Sequence, residues 1–231
     1  MVRYVVTGAT GQLGSRVFKH LITLVDRESH CAFSPLILAG FADCAEHRAA
    51  YDVIVSLYNP SGATPTILDS GVEVRHGDFL KPETLDAAYA GADKLLIVSY
   101  PSINYDIRVQ SHKAAIDAAK RVGIKHIYYT SLAFASDSEA FVMKAHLDTE
   151  AYLKASGVAY TIIREGIYSE SFPLYIGYWD PTRGDEVRIP EGDGGIAWVS
   201  REDLGEGTAK IIVQVYRSLP DSHLWRCSVR S

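Results

Sequence analysis

The chain has 231 residues, of which 47% are hydrophobic and 22% charged, the proportions of a soluble globular domain large enough for a substantial core. A formal net charge of −5 argues against a general phosphate-backbone binder, so no direct nucleic-acid role is expected, and no apolar stretch reaches the roughly 18 residues of a membrane span. Only Met1, Val2 and Arg3 precede the first apolar run, too little for a leader peptide, and the three cysteines, Cys31, Cys44 and Cys227, lack CxxC spacing; a cytoplasmic setting with reduced thiols is expected, and no metal site.

Tyr4–Val6 reads as a short buried strand. It runs into a glycine turn, TGATGQLG at 7–14, and a helix is predicted over Gln12–Val25 with Leu13, Val17, Leu21 and Leu24 on its inner face. Strand, glycine turn and helix in that order make a phosphate cradle. Gly8 permits the tight turn, Gly11 leaves the backbone open to a pyrophosphate, and Gly14 lets helix and strand pack closely. The first N–H groups of the helix then face the anion. Asp26–Tyr51 has no clear period and is expected to be an insertion. The second strand is expected at Val53–Tyr58, with Leu36–Phe41 as its rival.

Val72–Arg75 is the third predicted strand, and a helix follows over Glu83–Tyr89 behind Pro82. Lys94–Tyr100 is a fourth strand, almost continuously apolar, as befits burial on both faces. Ala115, Ala118, Ala119 and Val122 give the next helix its inner face, and Gly123 ends it. Ile127–Tyr129 is the fifth strand, Phe141–Ala155 a helix, Val158–Ile163 the sixth strand, Ile196–Val199 a short seventh and Arg201–Val215 a last helix. The alternation predicts an α/β protein: a Rossmann-type doubly wound parallel sheet with helices on both faces. Residues 1–214 are expected to form one dinucleotide-binding domain, and 215–231 an atypical tail. Ligands of such sheets bind beyond the carboxyl ends of the strands. The candidate site residues are therefore Gly8–Gly14, Tyr58-Asn59, Asp78-Phe79, Ser99-Tyr100-Pro101, Thr130-Ser131 and Glu165–Ser169.

Five segments carry a more specific signal: TGATGQLG at 7–14, GVEVRHGDF at 71–79, KLLIVS at 94–99, YYTSLAFA at 128–135 and YTIIREGIYSESF at 160–172. In that order they resemble the NmrA-like, atypical short-chain dehydrogenase/reductase family over most of residues 1–214. Within it they look most like the quinone-reductase and triphenylmethane-reductase types. The resemblance implies that Gly8, Thr10, Gly11, Gln12, Leu13 and Gly14 line the pyrophosphate of a nicotinamide dinucleotide. It implies that Asp78 accepts from the adenine amino group, with Phe79 beside the ring; a turn cap is the alternative for Asp78. Ser99 and Tyr100 would lie at the ribose and nicotinamide side, and Thr130 and Ser131 under the nicotinamide. Tyr58-Asn59 stands where the reductase relatives carry Arg-Asn, the arginine there favouring a 2′-phosphate. NADP(H) is expected over NAD(H) on family grounds, with Arg75 or Arg48 as candidates for the missing charge and a solvated surface role as their alternative.

The chain departs from ordinary short-chain dehydrogenases at the catalytic pair. Those enzymes set a lysine one helical turn from a tyrosine, Tyr-x-x-x-Lys, so that its charge lowers the pKa of the phenol. None of the 14 tyrosines here has a lysine four residues on. In FVMKAHLDTEAY the resemblance puts Val142 and His146 at the two positions. His146 is thus the candidate for holding the nicotinamide ribose or relaying a proton, the alternative being a histidine hydrogen-bonded at a helix surface. Lys144 lies on another helix face and reads as solvated. Tyr168 is the second catalytic candidate; with Phe172, Tyr175 and Tyr178 it follows the sixth strand, where relatives form a substrate pocket. Family members continue into a small helical lobe, so a reduced or truncated substrate lobe is expected. The implied activity is NAD(P)H-dependent hydride transfer to a small conjugated acceptor such as a quinone. The alternative is a non-catalytic dinucleotide-binding redox sensor with a protein partner.

Overall fold

The computed structural model describes residues 2–31, 52–133, 138–172, 182 and 195–213. The rival strand at 36–41, most of the expected insertion, Arg48, Tyr175, Tyr178 and the tail lie outside the described residues.

Six strands form one sheet: β1 (Tyr4–Thr7), β2 (Val53–Leu57), β3 (Glu73–His76), β4 (Lys94–Ile97), β5 (His126–Leu132) and β6 (Ala159–Glu165). Their order is β3-β2-β1-β4-β5-β6 and every pairing is parallel. The order reverses direction between β1 and β4, which opens a crevice at their carboxyl ends. The helices are α1 (Gly14–Cys31), α2 (Pro65–Ser70), α3 (Leu85–Tyr89), α4 (Tyr105–Arg121), α5 (Phe141–Lys154) and α6 (Arg201–Val213). The six-residue α2, ended by Gly71 in the left-handed region, has no counterpart in the sequence reading.

Alternation along the strands builds two cores. Tyr4, Val6, Val53, Val55, Leu96 and Tyr128 face α1 and α6, meeting Val17, Phe18, Leu21 and Ile212. Val5, Ile54, Leu95, Ile97, Ile127 and Tyr129 face the other way, toward α3, α4 and α5, meeting Leu85, Ala115, Ile116, Ala119 and Leu153. Each such large apolar side chain contributes about 1.5–3 kcal/mol when fully buried. Lys94 Nζ and Tyr128 Oη both donate to the Ile212 carbonyl (3.0 and 3.4 Å), holding the negative end of α6 to the sheet.

The expected seventh strand is shorter than Ile196–Val199 and leaves the main sheet. Ile167–Tyr168 (β7) pairs with Trp198–Val199 (β8) in a separate two-stranded parallel ribbon. The ribbon ties the exit of β6 to the start of α6. Strand β4 ends at Ile97 rather than Tyr100, because the next three N–H groups turn away from the ladder. They are taken by side chains of three different elements: Val98 by Thr7 Oγ1 (3.0 Å), Ser99 by Thr130 Oγ1 (2.9 Å) and Tyr100 by His112 Nε2 (2.9 Å).

Candidate functional site

The glycine turn forms one end of the crevice. Gly8 has φ +66°, a conformation L side chains rarely adopt. A Cβ on Gly14 would lie 2.2 Å from the Gly8 carbonyl oxygen, and one on Gly11 would lie 3.1 Å from the same atom. The Gly11 N–H donates to that oxygen at 2.8 Å. Ala9 and Leu13 are buried, anchoring the turn, while Thr10, Gly11 and Gln12 are exposed. The result is a turn at the start of α1 whose exposed backbone at Gly8 and Gly11 carries no side chain, a feature that fits a pyrophosphate.

Beside it, Tyr58 and Asn59 are both exposed at the end of β2. Asp78 Oδ1 accepts from the Leu80 N–H at 2.9 Å, the turn-capping role that the sequence left open for it. Phe79 meets Tyr100 edge-to-face, with ring centroids 6.1 Å apart, and the pair bridges the ends of β3 and β4. Arg75 is neither solvated nor turned toward the crevice. It makes a two-point pair with the Glu73 carboxylate (2.8 and 3.0 Å) and donates to the Ala90 carbonyl at 2.7 Å, closing the carboxyl end of α3. That engagement removes it as a substitute for the arginine missing after β2.

The other end of the crevice holds a network that runs through α4, β5 and α5. His146 is 5% exposed, on the inner face of α5 rather than at its surface. Its Nε2 lies 3.2 Å from the Arg108 guanidinium and its Nδ1 lies 2.8 Å from Tyr129 Oη. An arginine can only donate, so Nε2 accepts and the neutral ring carries its proton on Nδ1. His112 is fixed by the same logic: Nε2 accepts from the Tyr100 N–H, and Nδ1 donates to Thr149 Oγ1 (2.9 Å), whose hydroxyl donates to the Ala145 carbonyl (2.7 Å). Arg108 further donates to Ser99 Oγ (3.1 Å) and to the Ser102 carbonyl (2.6 Å).

Burial sets the protonation states. It lowers His146 to about 4, helped by the Arg108 charge, and lowers His112 to about 3, helped by His146 and Arg108. Both rings are neutral at pH 7. Burial also pushes the Tyr129 and Tyr168 phenols well above their ordinary range. Tyr168 is half-buried on β7, with Arg201 stacked 4.8 Å from its ring centroid and its hydroxyl 3.5 Å from Glu165 Oε2. Glu165, 3% exposed, is raised to about 8 by burial against the hydrogen bonds of Thr208 and Tyr168.

Thr130 and Ser131 point to opposite faces. Thr130 holds the Ser99 N–H. Ser131 donates to Glu150 Oε1 at 2.7 Å, and the same carboxylate takes Arg164 at 3.0 and 2.7 Å. Lys144 pairs with Glu139 at the surface. Sequence reasoning missed Arg108, His112, Tyr129, Thr149 and Glu150. A signal existed in the i, i+4 spacing of Arg108 and His112, and of His146 and Glu150, which puts each pair on one helix face. The assembly offers fixed hydrogen-bond donors, the Arg108 cation and imidazoles that are neutral at pH 7, protonation states that do not favour proton transfer by these histidines at neutral pH.

Comparison with known proteins places this geometry in context. A family model described as the NmrA-like family matches residues 3–224. An NmrA-like family domain-containing oxidoreductase of Aspergillus flavus is 34% identical over 218 residues, which is 92% of this chain and 62% of that protein. Quinone oxidoreductase 2 of Escherichia coli is 32% identical over 208 residues, 90% of this chain and 63% of that protein. Among solved structures, a Citrobacter sp. triphenylmethane reductase complexed with NADP(H) aligns with a TM-score of 0.70 at 31% identity. That alignment covers 92% of this chain and 66% of the reductase. The chain thus spans slightly under two thirds of the length of these relatives.

Proposed function

The chain belongs to the NmrA-like family, and on that premise we propose that it is an NAD(P)H-dependent oxidoreductase that reduces a small conjugated acceptor such as a quinone, with NADP(H) preferred over NAD(H). The observation that carries this reading is the placement of two groups of residues at the carboxyl ends of the strands, on either side of the reversal of strand order. A turn with glycines at 8, 11 and 14 at one end, and a hydrogen-bonded cluster of Ser99, Thr130, neutral His146 and charged Arg108 at the other, flank the reversal of strand order. The relatives named for quinone reduction and the reductase bound to NADP(H) support the acceptor class and the cofactor.

In this reading residues 1–214 are the cofactor-binding domain and 26–51 an insertion in it. Gly8, Thr10, Gly11, Gln12, Leu13 and Gly14 hold the pyrophosphate through the turn backbone. Asp78 and Phe79 meet the adenine, and Tyr58 and Asn59 its ribose. Ser99, Tyr100, Thr130 and Ser131 line the nicotinamide end, Ser131 through its backbone because its hydroxyl is donated to Glu150. A bound reduced nicotinamide supplies the hydride. His146, both ring nitrogens taken by Arg108 and Tyr129, bears on the ribose by holding those two groups in place, and Tyr168 bounds the acceptor. Placement, not acid catalysis, is the protein's main contribution, which suits an acceptor that draws its proton from water.

The neutral His146 and the high-pKa Tyr168 also favour a second reading, a dinucleotide-binding redox sensor without turnover. Fluorescence titration with NADPH and NADH, followed by NADPH oxidation against a panel of quinones, separates the two. Oxidation with any quinone at rates well above the protein-free control supports the enzyme. Tight binding with no oxidation across the panel supports the sensor, and failure to bind either nucleotide discards both.

A further inference from the structure

Arg108 differs from five of the other arginines among the described residues; another, Arg201, lies over the Tyr168 ring and donates to Ser171 Oγ. Arg3, Arg16, Arg75, Arg121 and Arg164 each sit on a carboxylate. Arg108 is half-buried, and its partners are the Ser102 carbonyl, the Ser99 hydroxyl and the imidazole of His146, all neutral. Among the described residues no carboxylate pairs with it. A guanidinium withdrawn from water without a counter-ion is costly, and burial accordingly lowers its pKa, although arginine stays charged. Helix stability does not explain the placement either, because a cation in the first turn of α4 opposes the helix dipole. Tyr168, from β7, lies close enough to feel the same charge.

We propose that Arg108 is the anion-stabilising group of the site, and that it favours acceptors that become oxyanions on reduction. This rests on the oxidoreductase reading above. The acceptor gains a hydride as the nicotinamide C4–H bond breaks with both its electrons. A quinone so reduced becomes a hydroquinone monoanion, and one proton from water completes the hydroquinone. The negative charge develops at the carboxyl ends of β4 and β5, where Arg108 already stands held by the Ser102 carbonyl, the Ser99 hydroxyl and the His146 imidazole. A charge fixed in place before the reaction acts on the transition state without reorganising. It thereby takes the electrostatic part that lysine plays in Tyr-x-x-x-Lys enzymes. The sequence could not reveal this, since Arg108 lies 38 residues from His146.

The test uses a stable oxyanion and does not depend on turnover. The purified chain, saturated with NADP+, is titrated with 4-nitrophenolate and with neutral 4-nitroanisole, reading the shift of the nitroaromatic absorption band. The wild type should prefer the phenolate by about tenfold, an effect of the size expected for a partly solvated charge pair. Arg108→Gln and Arg108→Met should lose the preference while still binding NADP+, and Arg108→Lys should keep part of it. With a quinone and NADPH, Arg108→Gln should lower kcat about 100-fold with little change in the KM for NADPH, and added guanidinium should restore part of the rate. No phenolate preference in the wild type, or a preference that survives in Arg108→Gln, overturns the assignment. If the neutral variants do not fold, Arg108→Lys decides: a phenolate preference undiminished in that variant overturns the assignment. If the wild type binds no NADP+, the oxidoreductase reading fails, and the two probes titrated into the free chain still decide the role of Arg108.

Discussion

At the scale of single residues, the glycines of the first turn do different work and should fail differently. Gly14 cannot accept a methyl group, because the atom 2.2 Å from its Cβ position is a backbone carbonyl oxygen that has no rotamer to move into. Gly11 faces outward, and a Cβ there is crowded only at 3.1 Å. Gly11→Val should therefore fold, with circular dichroism close to wild type, yet lose NADPH binding in a fluorescence titration. Unchanged affinity in the folded variant would reduce the motif to a plain turn. Gly14→Ala should instead lose the fold or melt many degrees lower. Glu165 makes the opposite case, a buried group that costs stability. Its carboxyl is raised to about 8 in the fold against about 4.3 in the unfolded chain. The fold binds its proton more tightly, so the stability it brings is full below about pH 4.3 and is lost as pH rises through 8. Glu165→Gln keeps hydrogen-bonding atoms for Thr208 and Tyr168. Its melting temperature should exceed the wild type's by a few degrees at pH 8 and by much less at pH 5, and a constant difference would show that burial does not perturb Glu165.

At the scale of elements, the side chains that join the helices to the sheet are polar as often as apolar. Glu150 links α5 to β5 through Ser131 and to β6 through Arg164. Burial acts to raise its pKa, but the hydrogen bonds and charges of Arg164, Ser131 and Lys154 outweigh burial and hold it below the ordinary carboxylate value. Removing the carboxylate leaves the Ser131 hydroxyl without its acceptor inside the fold. Glu150→Ala should cost about 1.5–3 kcal/mol in urea denaturation, the range for hydrogen bonds to a charged group; a cost near zero would mean that water substitutes freely. Arg75 does similar work at the carboxyl end of α3, a five-residue helix too short to persist alone. The sequence reading assigned Arg75 a solvated or phosphate-facing place because a strand residue's partners across an αβ connection are invisible in one dimension. Strand β4 was read three residues too long for a related reason. Val98, Ser99 and Tyr100 have strand-like side chains, and only the captors Thr7, Thr130 and His112 turn them out of the ladder.

At the scale of the whole molecule, the buried titratable groups combine into one pH profile. His146 and His112 are lowered to about 4 and 3, below the roughly 6.5 of an unfolded histidine. The stability tied to them is full above pH 6.5 and is lost as pH falls through their folded values; His126, lowered by burial and Lys94, acts with the same sign. Glu165 acts with the opposite sign above about pH 4.3. Among the described residues, the lowered histidines outnumber it between roughly pH 4.5 and 6.5 and stability rises with pH; between 6.5 and 8 Glu165 is the shifted group that remains and stability falls. The melting temperature should peak near pH 6.5, and Glu165→Gln should convert the alkaline decline into a plateau. A wild-type profile that is flat from pH 5 to 8 would contradict both burial assignments.

The sequence alone determined the alternation of strands and helices, the glycine turn and the two-sided sheet, because each rests on short-range sterics or on apolar periodicity within one element; the family was legible through the resemblance of the five ordered motifs. The ordered motifs also brought His146 and Tyr168 forward as candidates. Only the tertiary structure decided which side chains meet. Arg108 from α4, Tyr129 from β5 and His146 from α5 converge because the parallel register and the crossovers bring those ends together, and no local pattern encodes that convergence. The same is true of the neutral state of the two histidines and of the unpaired charge on Arg108. Protonation follows burial and neighbours, and these exist only once the chain has closed on itself.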